Sequence, residues 1–273
     1  MVQLSGGGDW APAALIVDMD GVLYRGSTAL AGLAEFVCVT RSWPRVLLTN
    51  NSTVSAASCV RKLRRLGVSV PEQEILTVSA AMTDYLAAEF APGTSVYVIG
   101  ERPLRDAVRA AGLTEDEPGH AAVVLGLDRS LRFDQLCQAT GLLRAGRPLI
   151  VTSLDPVLLT ADGAVPGTGA IAAALRVCAD VEPVCVGKPE PRFFQAAMRR
   201  LGIPADRILV VGDSLTADIV GGQAAGARTA LMLTGVTAAP PSGTGPSGTT
   251  GPRPDYVFGS LHELTRFLRR SME

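Results

Sequence analysis

Histidine is nearly absent from this chain of 273 residues: only His120 and His262 carry imidazoles. That is too few for a histidine-built zinc centre, and neither lies in a motif that would make it the base of a Ser/His/Asp triad. Cysteine is sparse too. The five thiols, Cys38, Cys59, Cys137, Cys178 and Cys185, are odd in number and never spaced CxxC. They argue against a disulfide framework and read as buried, reduced thiols in a cytoplasmic protein. A basic surplus is missing as well: 25 Lys+Arg face 26 Asp+Glu, for a net charge of −1. A protein that grips a phosphate backbone normally carries excess positive charge, so nucleic acid is not an expected partner. The local basic clusters, RKLRR at 61–65 and Arg269 with Arg270, fall in stretches of helical spacing and read as solvated helix faces. Nor is there an apolar run long enough to span a bilayer, and MVQLSGGGDW has neither a charged n-region nor an apolar h-region. A soluble, cytoplasmic protein with no membrane partner is expected.

What the chain has in quantity is apolar residues, 47% of the total, enough for one large core or two modest ones. They cluster in short β-rich runs: ALIV (14–17), RVLLT (45–49), SVYVIG (95–100), AAVVLGL (121–127), PLIVTS (148–153), PVCVG (183–187), RILVVG (207–212) and TALMLTG (229–235). Helical patterns lie between them, among them 55–66, 79–90, 103–111, 133–144, 169–178, 191–201 and 216–225. Continuous apolar strands separated by helices predict a parallel sheet covered on both faces, and hence an α/β fold. PDYVFGSLHEL predicts a last strand and helix, preceded at 238–254 by a flexible loop rich in Gly, Pro, Ser and Thr.

Several strands end in chemistry-bearing residues. Asp18 and Asp20 follow the first, in DMDGVLYRG. Thr49, Asn50 and Asn51 follow the second, Lys188 follows PVCVG, and Asp213 follows RILVVG. Ligands of open parallel sheets bind at the carboxyl ends of strands, so these groups can converge. Two acids two residues apart on an extended strand end point the same way, and their pKa values should separate, leaving one as nucleophile and the other as proton carrier. Asp213 and Asp218 add oxygens suited to a hard cation such as Mg²⁺. Lys188 adds a fixed positive charge, and the Thr49 to Asn51 segment adds hydroxyl and N–H donors. The set suits a phosphate ester.

These segments together resemble the haloacid dehalogenase superfamily of aspartate-nucleophile phosphohydrolases: DMDG (18–21), LLTNNS (47–52), GKP (187–189) and GDSLTAD (212–218) match its four motifs in order. DMDGVLYRG, GxxPGTG (163–169), GKPEP and LTGVT (233–237) are similar to its subgroup with a large α/β cap, which includes nucleotide, pyridoxal phosphate, phosphoglycolate, glycerol-3-phosphate and 4-nitrophenyl phosphate phosphatases. The resemblance implies a Rossmann-like parallel-sheet core with an inserted smaller α/β cap. Motif spacing places the insert after the second motif. The expected organisation is core over 1–79, with 1–12 a loose tail, cap over 80–181, and core again over 182–273.

Carried onto this chain, the resemblance makes Asp18 the nucleophile and Asp20 the acid and base. Asp18, the Asp20 carbonyl and Asp213 hold Mg²⁺, with Asp218 either a ligand or an orienting neighbour. Thr49, Asn50, Asn51 and Lys188 cradle the phosphate. Asp128, Arg129 and Asp155, near cap strand ends, are the candidates for substrate selectivity. Caps of this kind often mediate homodimers. Two departures stand out: Ala217 where the subgroup often has Thr, and VTSLD (151–155) where it often has ATNxD. The expected activity is hydrolysis of a small phosphorylated metabolite. A phosphometabolite-binding regulatory protein and a phosphotransferase are rival readings.

Overall fold

Uninterrupted apolar strands can be buried on both faces only if helices cover the sheet on each side. The structure, a computed structural model that describes residues 2–3, 10–116, 119–160, 163–239 and 251–271, follows that rule in two compact units. The first comprises the described residues up to Thr49, Cys59–Leu76, and those from Lys188 onward; the second comprises Asn50–Ser58 and Thr77–Gly187.

The first unit is built on a sheet with the strand order Val2–Gln3, Tyr256–Phe258, Arg228–Met232, Ile208–Gly212, Ala14–Asp18, Arg45–Thr49, Ile75–Thr77. Its central strands are parallel, with Val211 opposite Val17 and Ala230, and Asp18 opposite Leu48. This register puts Asp18, Thr49 and Asp213 at the carboxyl ends of three neighbouring strands. All five residues of Ala14–Asp18, Arg45–Thr49 and Ile208–Gly212 are buried. The second unit has its own four-stranded parallel sheet, in the order Val184–Cys185, Leu149–Val151, Val123–Leu125, Tyr97–Ile99. Its core joins Ile99, Leu125, Val151 and Leu143 to Leu175, and Val157–Thr160 with Gly163–Pro166 forms a separate antiparallel hairpin.

Several expectations shift. The return to the first unit falls at Lys188, not at 182, because Val184 and Cys185 pair with Ile150 and Val151 and so belong to the smaller sheet. Within the expected loose tail, Val2–Gln3 pairs antiparallel with Tyr256 and Val257, and Trp10 donates its indole N–H to the Asp206 carbonyl at 3.0 Å while stacking on Tyr256. Residues 240–250 of the expected flexible loop lie outside the described residues. The cysteines are all free, but only Cys59 and Cys185 are buried; Cys38, Cys137 and Cys178 are exposed on their helices. No helix among the described residues is long and apolar enough to cross a membrane.

One polar network fixes the amino end of the strand that carries Thr49. Arg45 is buried, and its guanidinium donates to Glu74 at 2.6 Å, to the Thr40 hydroxyl at 2.6 Å and to the Val37 carbonyl at 3.2 Å. Glu74→Ala would leave a buried cation without its anion. The expected loss is about 2–3 kcal/mol, less than for a fully buried pair because Glu74 reaches solvent. Urea unfolding checks this, with Glu74→Gln expected to lose less because it keeps an acceptor.

Candidate functional site

Four ionisable groups that sequence spacing alone scatters over 200 positions meet in the first unit. Asp18, Lys188, Asp213 and Asp218 are each no more than 6% exposed, and Thr49 is buried at the neighbouring strand end. Burying charge is costly unless it is paired. Here the Lys188 ammonium pairs with Asp18 in a short contact and with Asp218 at 2.7 Å. Burial alone would lower the Lys188 pKa, but the charges of Asp18 and Asp218 hold it above the usual lysine value. Burial pushes the Asp18 carboxyl well up, against the pull of Lys188 and with the added repulsion of Asp218 and Asp213.

Asp218 is brought there by an unusual turn. After Ser214 the chain makes a π-helical turn, Leu215–Ile219, in which the Asp218 and Ile219 amides both donate to the Ser214 carbonyl at 3.0 and 3.1 Å. Such turns widen a helix by one residue and re-aim a side chain. The Asp218 carboxylate then accepts from the Ser214 amide at 3.1 Å and passes so close over Gly212 that a methyl group there would overlap it. Ala217 does not weaken this arrangement, because its amide donates to the Ser214 hydroxyl at 3.1 Å, closing the turn.

Asp213 accepts from the Val236 amide at 2.6 Å and, through burial and the nearby Asp218 charge, is pushed up to about 6. Gly21 crosses directly over it with φ +84°; a side chain would strain this backbone and strike the carboxylate. Carboxylate oxygens of Asp18, Asp213 and Asp218 lie within 4.8 Å of one another. Three carboxylates and one ammonium leave a formal charge of −2. An all-oxygen donor set with that charge fits a hard divalent cation.

Asp20 has different partners. The Tyr24 hydroxyl donates to its Oδ2 at 3.3 Å, and Lys62 stands 3.8 Å from its Oδ1. Desolvation raises the Asp20 carboxyl, opposed by Lys62, Lys188 and Tyr24. Burial raises both motif aspartates and Lys188 opposes it at both; they differ in their nearest cation, Lys188 in contact with Asp18 and Lys62 beside Asp20, where their spacing predicts mutual repulsion. Lys62 is the residue that sequence reasoning missed. RKLRR reads as a solvated face, and Arg61, Arg64 and Arg65 are indeed exposed, but Lys62 is half-buried with its ammonium 3.5 Å from the Tyr24 ring centroid. The available signal was its i+3 spacing from Cys59, which is buried on the same helix face.

The remaining candidates lie in the second unit. The Asn50 carboxamide donates to Asp155 at 3.1 Å and to Ser153 at 3.4 Å, and the Ser153 hydroxyl donates to Asp155 at 2.7 Å. Asn51 accepts from the Thr53 amide and hydroxyl, an Asx turn. Asp128 accepts from the amide and hydroxyl of Ser130, and Arg129 makes a two-pronged pair with Glu101 at 2.6 and 2.8 Å. Of the three residues expected to read substrate, Asp155 alone is joined by these bonds to a motif residue.

Comparison with known proteins assigns the family. A haloacid dehalogenase-like hydrolase model matches residues 15–114, and a HAD-hydrolase-like model matches residues 185–264. The 5'-nucleotidase YutF of Bacillus subtilis is 35% identical over 224 residues, spanning 81% of this chain and 87% of that protein. An acid sugar phosphatase of Staphylococcus aureus is 34% identical, spanning 82% and 87%. Among solved structures, a glycerol phosphate phosphatase from Mycobacterium tuberculosis in complex with magnesium aligns with a TM-score of 0.83 at 31% identity, covering 94% of this chain and 78% of its own. With these matches running from the first motif to the last, the chain belongs to the haloacid dehalogenase-like hydrolases, among their phosphatases.

Proposed function

We propose that this protein is a Mg²⁺-dependent phosphatase that hydrolyses small phosphate monoesters through a phosphoryl group carried on Asp18. The observation that carries the reading is the buried Asp18 carboxylate held by Lys188 beside Asp213 and Asp218. A carboxylate fixed by a buried ammonium is a nucleophile whose direction of attack is set before substrate arrives. Substrate candidates are glycerol 3-phosphate, phosphoglycolate, nucleoside monophosphates, sugar phosphates, pyridoxal phosphate and 4-nitrophenyl phosphate. The inserted second unit is assigned as the cap.

Asp18 attacks phosphorus, forming an acyl-phosphate bond as the ester P–O bond breaks. Asp20 gives its proton to the departing alkoxide oxygen. Water then attacks the same phosphorus and gives a proton to Asp20; inorganic phosphate leaves and the Asp18 carboxylate is restored. Thr49, Lys188 and the Asn50–Asn51 segment hold the phosphoryl oxygens. Asp18, the Asp20 carbonyl and Asp213 are the Mg²⁺ ligands in this reading, with Asp218 oriented by the Ser214 amide and Lys188. When bound, Mg²⁺ balances the negative charge of the carboxylates and of the phosphoryl oxygens.

The test is phosphate release from these esters with Mg²⁺ or with EDTA, with Asp18→Asn run beside the native chain. Asp18→Asn is expected to lower kcat by on the order of 10³-fold or more, and EDTA to abolish turnover. Turnover that survives both would overturn the reading. A second measurement is thermal unfolding. Mg²⁺ at a hundred times its Kd should stabilise the protein by about 2.7 kcal/mol, and Asp213→Asn should remove most of that gain. Third, Asp155→Ala frees the Asn50 carboxamide from its anchor. KM for phosphate esters is expected to rise several-fold, about 1 kcal/mol, with little change in melting temperature.

A further inference from the structure

We infer that Tyr24 and Lys62 are positioning residues that hold the Asp20 carboxyl group in the orientation from which its acid form protonates the leaving oxygen. The inference rests on the proposed role of Asp20 as acid and base, and extends it to two side chains outside the four motifs.

The geometry is specific. Asp20 and Tyr24 are joined by a tight turn in which the Gly21 amide donates to the Tyr24 carbonyl at 2.8 Å and the Leu23 amide donates to Met19 at 2.9 Å. Tyr24 is 2% exposed, so its hydroxyl must find an acceptor inside the protein, and it finds Asp20 Oδ2. Lys62 approaches from the helix Ala56–Arg65, which is remote in sequence, and lays its ammonium over the Tyr24 ring and beside Asp20 Oδ1. Each carboxylate oxygen thus has its own partner, one a hydroxyl and one a cation, and those partners touch each other. Rotation of the carboxylate about χ1 or χ2 breaks at least one contact. Lys188 serves Asp18 in the same way, so the two motif aspartates are oriented by separate devices.

A held acid matters in proportion to how much the leaving group needs a proton. An alkoxide leaves poorly unless it is protonated as the P–O bond breaks, whereas 4-nitrophenolate leaves as the anion. A loss of Asp20 orientation should therefore fall on alkyl phosphates and largely spare 4-nitrophenyl phosphate. A general weakening of the structure would lower both alike.

The experiment measures kcat/KM, which reports steps through the first phosphoryl transfer, for Lys62→Met, Tyr24→Phe and the double variant in the Mg²⁺-loaded protein. Glycerol 3-phosphate and 4-nitrophenyl phosphate are the substrates, and Asp20→Asn is the reference. Each single variant is expected to lose on the order of 10-fold on the alkyl ester, with a several-fold smaller loss on the aryl ester. Lys62→Arg should recover much of the alkyl activity, and the double variant should approach Asp20→Asn. Equal losses on both esters, or none, would overturn the inference. If Asp20→Asn itself shows no preference between esters, the acid role of Asp20 fails; if it does and the Lys62 and Tyr24 variants do not, only the positioning role fails. Should Tyr24→Phe not fold, Lys62→Met, on a partly exposed helix face, decides the question alone.

Discussion

A buried ammonium among carboxylates is the constraint on which the rest of the first unit depends. The buried Lys188 ammonium pairs with Asp18 and Asp218, which offsets the cost of holding its charge below the surface. The three residues come from a strand end, a return crossing and a π turn, so satisfying one electrostatic requirement fixes three pieces of backbone together. The close passes of Gly21 over Asp213 and of Gly212 under Asp218 follow from the same requirement: the carboxylates are packed so tightly against main chain that side chains are excluded at both places.

The sheet supplies the precision. Parallel pairing puts Asp18 opposite Leu48 and level with Gly212, so Thr49 and Asp213 each follow one residue beyond it on the two flanking strands. These strands are apolar on both faces, so their register is held by the close packing of individual core side chains and not by alternation. Stability and reactivity are thus tied through position: the apolar packing that makes the strands rigid also sets the spacing of the oxygens that can receive a cation.

Much of this was legible in the sequence, for a physical reason. Buried parallel strands are written as continuous apolar runs, and a polar residue at the end of such a run is conspicuous. RVLLT and RILVVG predict Arg45–Thr49 and Ile208–Gly212 closely, and Asp18, Lys188, Asp213 and Asp218 stand out beside their strands. What stayed hidden depends on partners far along the chain. PVCVG reads as a strand, but only pairing decides to which sheet it belongs, and it joins Leu149–Val151. Ile75–Thr77 is too short to register as a strand, and Val2–Gln3 takes its strand character from Tyr256 and Val257. Lys62 was concealed by its neighbours, since three of the four basic residues in RKLRR do face solvent, and a composition argument averages over all four.

The two departures from the family pattern differ in kind. Ala217 lacks a hydroxyl, yet the bond that closes the π turn runs from its main-chain amide to Ser214, so the turn and the Asp218 it delivers do not depend on a side chain at 217. Ser153 is an active substitute. Its hydroxyl accepts from the Asp155 amide, donates to the Asp155 carboxylate and receives the Asn50 carboxamide, so it links both residues beside their direct Asn50–Asp155 bond. The Gly169 amide ties the Asp155 carbonyl to the start of the helix Thr168–Ala179, so the loop is anchored on both sides. A hydroxyl is shorter than a carboxamide and has a single proton to donate. Ser153 therefore gives that proton to Asp155 and leaves Asn50 to be held chiefly by the carboxylate. The departure moves the burden of orienting Asn50 onto Asp155, whose carboxylate is the nearer of its two acceptors.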